Sequence, residues 1–281
     1  MRSSPRDALV GLSVVELLLA TAGFVVPLAV LVAYAFGASD YLTFDVAVTG
    51  TVDSFRKLFS DVYRPVLARS FGLAAATVVG SVAIGTPAAL AISRLAPRTT
   101  RLVLLAVIAP AFVSFTVRVH AWSNLLGADG AVERVTGARW LFEPTGVALG
   151  MLGVYLPLYV MPVVLALGRV DVHIRESAAD LGARRLAVTR TVVLPLARSG
   201  IITGMVLVGV LALGEYIVPT VLGGGKVLLL GNVLADQAGG RDQPLGGAVA
   251  VVVLAASAVG AGIARSATRA SERATRSARR V

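Results

Sequence analysis

The chain alternates between long apolar stretches and shorter polar ones. Six of the apolar stretches are long enough to cross the roughly 30 Å hydrocarbon core of a bilayer as a helix, which takes about 20 residues. The pattern therefore predicts an all-α membrane protein with six transmembrane helices in a single domain, residues 1–281. The six spans are Val14–Phe36, Ser70–Ser93, Leu102–Trp122, Thr145–Gly168, Ser199–Leu222 and Leu245–Ala264.

The first apolar stretch also has features of a cleavable signal peptide. Arg2 and Arg6 precede it, and Ala20-Thr-Ala22 imitates a cleavage site. Glu16 interrupts the run, however, and the hydrophobicity continues through Phe36. These features favour a membrane span that is retained.

Composition supports a membrane protein. Apolar residues make up 56% of the chain and the mean hydropathy is +0.81, whereas soluble domains have about 45–50% apolar residues. Cysteine is absent, which excludes disulfides, thiolate metal ligands and a cysteine nucleophile.

The distribution of Lys and Arg predicts the orientation. If the six spans alternate, 17 of the 26 Lys and Arg residues fall on the side that carries both termini and the segment 169–198. Lys and Arg accumulate on the cytoplasmic side of membrane proteins, so both termini and this segment are expected to face the cytoplasm of a prokaryotic cell. The net charge of +10 then reflects topology and gives no reason to expect binding to nucleic acid.

The polar segment between the fourth and fifth spans predicts a short helix that docks onto another protein. An acid in its first turn favours a helix, and small side chains let a partner approach closely. A second helix is expected after it, and this helix should end at Pro195, which has no amide N–H. The docking residues are Glu176, Ser177, Ala178, Ala179, Asp180 and Gly182, where the chain turns.

This segment resembles the EAA loop of ABC importer membrane subunits. The pattern of that loop is Glu-Ala-Ala, three residues, Gly, nine residues, Ile, one residue and Leu-Pro, and the spacing here fits it without a gap. Ser177 replaces the first alanine and Val192 stands where Ile is usual. The matching positions are Glu176, Ala178, Gly182, Leu194 and Pro195.

The resemblance implies a MetI-like permease fold with a cytoplasmic coupling helix in the segment 169–198, between helices 4 and 5. It also implies ABC ATPase subunits that bind ATP and Mg²⁺, a second permease subunit in a heterodimer, and an external solute-binding protein. The chain itself is expected to be a transport subunit with no cofactor or metal site and no enzymatic activity. Gly223-Gly-Gly-Lys226 does not match a phosphate-binding loop, because Val227 follows the lysine.

Other stretches resemble the spermidine/putrescine permease subfamily, which implies a polyamine as the solute. Gln243 stands where tryptophan often precedes the proline, so another solute, such as ferric iron, sulfate or an organic anion, stays open. A membrane scaffold that does not transport is a further alternative. The stretches are Pro110-Ala-Phe112, Val117-Arg118-Val119, Phe142-Glu-Pro144, Leu156–Pro162, Leu222–Lys226, Leu230-Gly231-Asn232 and Pro244-Leu-Gly246.

Glu215 is the most informative titratable residue, because a carboxylate within an apolar span is costly and usually faces a partner or an aqueous cavity. It is predicted to contact a cationic solute. Tyr216, Tyr155 and Tyr159 could offer ring faces for cation–π contact in the same pathway. The alternative is a structural hydrogen bond or a charge at a helix end.

Small residues and prolines inside the spans predict close helix packing and irregular helices. Gly200 and Gly204 have the four-residue spacing that lets helices approach in lipid, as do Gly146 and Gly150. Proline removes a helical hydrogen bond, so each proline in a span predicts a kink or a break. These prolines are Pro27, Pro87, Pro110, Pro157, Pro162 and Pro219.

Overall fold

The computed structural model of the chain describes residues 5–39, 46–170, 184–240 and 242–278. Nearly all of the regular structure in these ranges is α-helical, and the two strands are three residues each. The helices are α1 Pro5–Ala35, α2 Asp53–Leu58, α3 Arg64–Ile92, α4 Pro97–Ile108, α5 Phe115–Leu126, α6 Ala131–Thr136, α7 Pro144–Leu167, α8 Arg185–Val188, α9 Leu194–Leu196, α10 Arg198–Leu213, α11 Ile217–Gly223, α12 Leu230–Ala238 and α13 Gln243–Ala278.

Within the described ranges, three helical segments are continuous, long and apolar enough to cross a membrane: Arg64–Ile92, Pro144–Leu167 and Gln243–Ser266. Two bent pairs of helices reach the required length if each pair counts as one span. Thr21–Ala35 is a shorter apolar helix. The helical character and the presence of several apolar helices are therefore confirmed, whereas the count of six spans and their orientation stay predictions.

The described residues group into two compact units. The first contains the chain up to Arg64 together with Val233–Val252. In it, strands β1 (Gly37–Ser39) and β2 (Val46–Val48) pair antiparallel after α1, and the ring of Phe55 lies 5.3 Å from that of Phe36.

An ion pair fixes the start of α13 in this first unit. Lys57 of α2 pairs with Asp242, whose side chain is mostly buried. The other carboxylate oxygen of Asp242 accepts the amide N–H of Leu245 at 3.2 Å and so caps α13.

The second unit contains Pro65–Asn232 and Val253–Val281, and α7 lies at its centre. Helix α7 packs mainly against α10, and glycines allow the close approach. A Cβ at Gly200 would lie 2.4 Å from the carbonyl oxygen of Pro162, and one at Gly204 would lie 2.8 Å from the ring of Tyr159. The packing role predicted for this glycine pair is confirmed.

The predicted third span is not one helix. It divides into α4, a short 3₁₀ turn at Ala109–Phe112, and α5, and the two helical parts are bent by 97°. The chain is extended at Val113 and Ser114, so no helical hydrogen bonds run through this point. Pro110 lies in the 3₁₀ turn, whereas Pro87 lies inside the continuous helix α3.

The predicted fifth span is also interrupted. Helix α10 ends at Leu213 and α11 begins at Ile217, which leaves residues 214–216 outside either helix. The continuous helix expected over Ser199–Leu222 is therefore wrong at this point. The break is stabilised by the side chain of Glu215, which accepts the first two amide N–H groups of α11.

The expectation that Pro195 ends a helix is wrong. The chain is α-helical at α8, π-helical at Thr189–Val193, and helical again through α9, which contains Pro195. Proline removes one helical hydrogen bond, and here the helical run ends one residue later, at Leu196. The chain bends instead at Ala197, with an angle of 66° between the helical parts on either side.

The segment between α5 and α7 contains the short helix α6 and is held by Glu133. One carboxylate oxygen of Glu133 accepts a hydrogen bond from Nε of Arg139 at 2.6 Å, and the other accepts the amide N–H of Asp129 at 2.8 Å. These hydrogen bonds lower the pKa of Glu133 below its usual range.

We expect Gly85→Ala to destabilise the second unit. A Cβ at this position of α3 would lie 2.5 Å from Cδ1 of the buried Tyr159 ring, so the ring or the helix would have to shift. Overpacking of this kind costs about 1–3 kcal/mol.

Gly72→Ala on the same helix is the matched control, because nothing lies within 4 Å of a Cβ there. Thermal unfolding of the detergent-solubilised protein should show a lower midpoint for Gly85→Ala alone. Equal midpoints for the two variants would contradict the packing described here.

Candidate functional site

The break between α10 and α11 is built around the carboxylate of Glu215. Oε1 accepts the amide N–H groups of Ile217 at 2.7 Å and Val218 at 3.1 Å, which are the first two of α11. The next residue is Pro219, which has no N–H, and the amide of Thr220 bonds to the carbonyl of Tyr216 at 3.1 Å. Every backbone N–H in the first turn of α11 therefore has a hydrogen-bond acceptor.

The second carboxylate oxygen of Glu215 binds α7. Oε2 accepts a hydrogen bond from the hydroxyl of Tyr155. Glu215 is only 6% exposed, and a buried carboxylate is stable only when hydrogen bonds and charges compensate its lost hydration. The structural hydrogen bond raised as the alternative for Glu215 is thus present.

A cavity of about 330 Å³ opens beside this carboxylate. Its aromatic lining comes from three parts of the chain: Phe115 begins α5, Tyr155 lies in α7, and Tyr216 precedes α11. The rings of Phe115 and Tyr155 are 6.5 Å apart, and Tyr216 is 47% exposed. The lining residues are Phe115, Tyr155, Val210, Leu211, Gly214, Glu215, Tyr216 and Ile217. We call this the amine cavity.

The amine cavity combines one carboxylate with aromatic rings in otherwise apolar surroundings. An ammonium group suits such a site, because it is attracted both to the carboxylate and to the negative faces of the rings. Among the described residues, the lining includes Glu215 and no Lys or Arg. A small anion in this cavity would lie against the carboxylate of Glu215.

Three of the four residues predicted for the solute pathway meet at the amine cavity, and Tyr159 does not. Tyr159 is fully buried, and its hydroxyl lies 2.7 Å from Oγ1 of Thr86 in α3. Its ring fills the space between Gly85 and Gly204. The contacts of Tyr159 in this structure are those of a packing residue between helices.

Asn232 is a second residue that holds the break, and sequence reasoning gave it no role. Its Oδ1 accepts the amide N–H of Leu229 at 3.0 Å, while its Nδ2 donates to the carbonyl of Tyr216 at 3.0 Å and to Oγ1 of Thr220 at 2.8 Å. The sequence shows only a polar residue at the start of α12. Its partners become visible only when α11 and α12 are folded together.

Arg118 is a further residue with no predicted role. It lies in α5 one turn after Phe115, and its Cζ is 5.3 Å from the centroid of the Phe115 ring. A signal for it was available, because a charged residue inside a predicted span is a functional candidate by the same argument that selected Glu215.

The predicted coupling residues Glu176, Ser177, Ala178, Ala179, Asp180 and Gly182 lie outside the described residues. The role of this segment stays a prediction. In the ranges the structure does describe, no three His, Cys, Asp or Glu side chains are grouped so that they could hold a metal ion.

Among proteins of known function, several membrane transport subunits are similar to this chain over most of its length. The spermidine/putrescine transport system permease protein PotB of Escherichia coli is 30% identical over 217 residues, which cover 74% of this chain and 79% of that protein. PotB of Haemophilus influenzae is 30% identical over 210 residues, covering 72% and 73%. The inner membrane ABC transporter permease protein YdcU of E. coli is 29% identical over 238 residues, covering 77% and 76%. No family model matches the chain.

Solved structures with the same fold are also ABC transporters. A bacterial transporter for the import of the acidic polysaccharide alginate aligns with a TM-score of 0.68 at 16% identity, covering 92% of this chain and 96% of that one. The MetNI methionine transporter aligns with a TM-score of 0.58 at 15% identity, covering 76% and 99%. At these identities the likeness establishes the fold, which agrees with the MetI-like fold expected from the sequence.

We expect Glu215→Leu to prevent stable folding, whereas Glu215→Gln is tolerated. Leucine leaves two amide N–H groups and the Tyr155 hydroxyl without an acceptor, and each unsatisfied buried group costs about 1–3 kcal/mol. The amide oxygen of glutamine can still accept the N–H groups of Ile217 and Val218. Yield and thermal midpoint of the solubilised protein measure the difference, and similar values for the two variants would argue against the capping role of Glu215.

Proposed function

The chain belongs to the family of ABC transporter permeases that includes the spermidine/putrescine permeases of E. coli and H. influenzae, and from this premise we propose that it is the membrane-spanning subunit of an ATP-driven importer of polyamines. The observation that carries the proposal is 30% identity over 79% of the length of the E. coli permease. The amine cavity supports it independently, because its carboxylate and aromatic rings suit an ammonium group.

In this proposal the chain crosses the prokaryotic cytoplasmic membrane six times with both termini in the cytoplasm. The broken third and fifth spans support such a placement. Irregular backbone inside a membrane is tolerated where it is buried in protein or lines a cavity, and transporters place such breaks at their solute pathways. The break at residues 214–216 lines the amine cavity.

Transport would need partner subunits. Two ABC ATPase subunits would bind ATP and Mg²⁺, a second permease would complete the pathway in a heterodimer, and an external protein would deliver the solute. The segment Glu176–Gly182 would dock into the ATPase subunits. Nucleotide binding would then favour one of two conformations of the membrane helices, because it changes the contacts made in one conformation and not in the other.

The competing solutes differ from polyamines in charge. Sulfate and organic anions would meet the buried carboxylate of Glu215, and none of the described residues that line the amine cavity is Lys or Arg. Ferric iron prefers several oxygen ligands, and one carboxylate that already accepts three hydrogen bonds is a poor site for it. The amine cavity therefore favours an organic cation.

Vesicles that contain the complete complex test this function. With the external binding protein present, the wild type should take up putrescine and spermidine in an ATP-dependent manner. Glu215→Gln should lower the uptake rate roughly tenfold or more, because a contact with a charged group contributes about 1.5–3 kcal/mol. Complex assembly should be unchanged.

Glu143→Gln is the matched control, because Glu143 is exposed and lies outside the amine cavity. Its uptake should equal that of the wild type. An active ATPase with no uptake of either amine by the wild type would exclude a polyamine importer. Normal uptake by Glu215→Gln would show that Glu215 has a structural role and does not contribute to solute binding.

A separate variant tests the coupling segment. Gly182→Trp should abolish uptake while the chain still inserts in the membrane, because a large side chain at the turn would block the approach of the ATPase subunit. Ser177→Ala, which restores the alanine usual in the EAA loop, should keep normal uptake. Uptake by Gly182→Trp at the wild-type rate would show that this segment does not transmit ATP-driven motion.

A further inference from the structure

We propose that Arg118 determines which amines the pathway accepts, by limiting the number of ammonium groups that can lie at the amine cavity. This inference rests on the proposed function. It assigns to Arg118 a role in specificity, separate from the attraction that Glu215 exerts on the solute.

Phe115 connects Arg118 to the amine cavity. Its ring belongs to the lining of that cavity, and the guanidinium of Arg118 lies over the same ring, with Cζ 5.3 Å from the centroid. An aromatic ring attracts a cation through the negative charge of its faces. Arg118 therefore already lies over one face of one of the three rings that could receive a solute ammonium group.

The charge of Arg118 is not compensated by an acid in the described parts of the chain. Arg118 takes part in none of the ion pairs found between described residues, and its buried Nε has no hydrogen-bond partner among them. Arg118 lines a second cavity of about 250 Å³, and the other described residues of its lining are apolar, such as Pro110, Trp122 and Pro157. In apolar surroundings the field of such a charge is weakly screened.

Attraction and repulsion at the amine cavity thus come from two neighbouring side chains. Glu215 attracts the first ammonium group of a solute, and Arg118, whose guanidinium lies over the Phe115 ring, repels any further one that approaches. A diamine brings one additional positive charge and a triamine brings two. The arrangement should therefore oppose triamines more strongly than diamines.

Maximal uptake rates of spermidine and putrescine, measured in vesicles with saturating amounts of loaded binding protein, test this role. Saturation removes the selection made by the binding protein, so the ratio of the two rates reports the permease. Arg118→Gln should raise the spermidine-to-putrescine ratio roughly 3- to 10-fold, as expected when a weakly screened repulsion between charges is removed. Arg118→Lys keeps the charge and should keep the wild-type ratio.

Arg101→Gln serves as a control, because Arg101 is exposed on α4 and lines neither cavity. A merely structural effect of Arg118→Gln would change both rates by the same factor, and this unchanged ratio would overturn the proposal. If Arg118→Gln does not assemble, Arg118→Met repeats the test with a long apolar side chain. Failure of both to assemble would also overturn it, since Arg118 would then be required for folding.

The outcomes separate this inference from the function on which it rests. Uptake of neither amine by the wild type would contradict the proposed function as a polyamine importer. Uptake of both amines with a ratio that Arg118→Gln does not change would contradict only the proposed role of Arg118.

Discussion

The hydrogen bonds of Glu215 are the interaction on which the site depends. A membrane helix cannot simply stop inside apolar surroundings, because its first amide groups would remain without acceptors. Glu215 supplies an acceptor for the two donors that open α11, and Pro219 removes the need for another. The same side chain binds Tyr155, so the position of the break is fixed to the central helix α7. One carboxylate thus permits the break, positions it and gives the adjoining cavity its charge.

Helix α7 links this site to the packing of the unit. Tyr155 and Tyr159 lie one turn apart on it, and each places its hydroxyl against a different neighbour: Tyr155 binds Glu215, and Tyr159 lies against Thr86 of α3. Glycines at the crossings bring the helices close enough for these contacts. Pro157 and Pro162 lie within the continuous helix, so α7 supports the breaks in its neighbours without being broken itself.

The sequence predicted the helical membrane class and the family, because each depends on local composition or spacing. It also singled out Glu215, whose contact with a solute stays a prediction. The breaks were harder to predict, since proline alone does not decide them. Pro87 and Pro157 lie in continuous helices, whereas the chain breaks near Pro110 and just before Pro219. At Glu215 the deciding factor is a side chain that caps the new helix. A hydropathy scale scores that residue only as unfavourable in a membrane span.

Long-range partners explain the remaining differences. Tyr155 and Tyr159 share a face of α7, so spacing could not show that only Tyr155 reaches the cavity. Asn232 hydrogen-bonds the backbone of Tyr216, and Arg118 lies over the ring of Phe115. Neither contact can be read from the sequence alone. The segment that contains the coupling residues lies outside the described residues, so its docking role rests on its resemblance to the EAA loop.

The coupling energy between Tyr155 and Glu215 tests the central claim most directly. It is obtained from the unfolding free energies of the wild type, Tyr155→Phe, Glu215→Gln and the double variant in one detergent. A charge-assisted hydrogen bond between the two side chains predicts a coupling of about 1–3 kcal/mol. Strictly additive effects would mean that Tyr155 does not hold Glu215 at the break, and this account of the site would then be wrong.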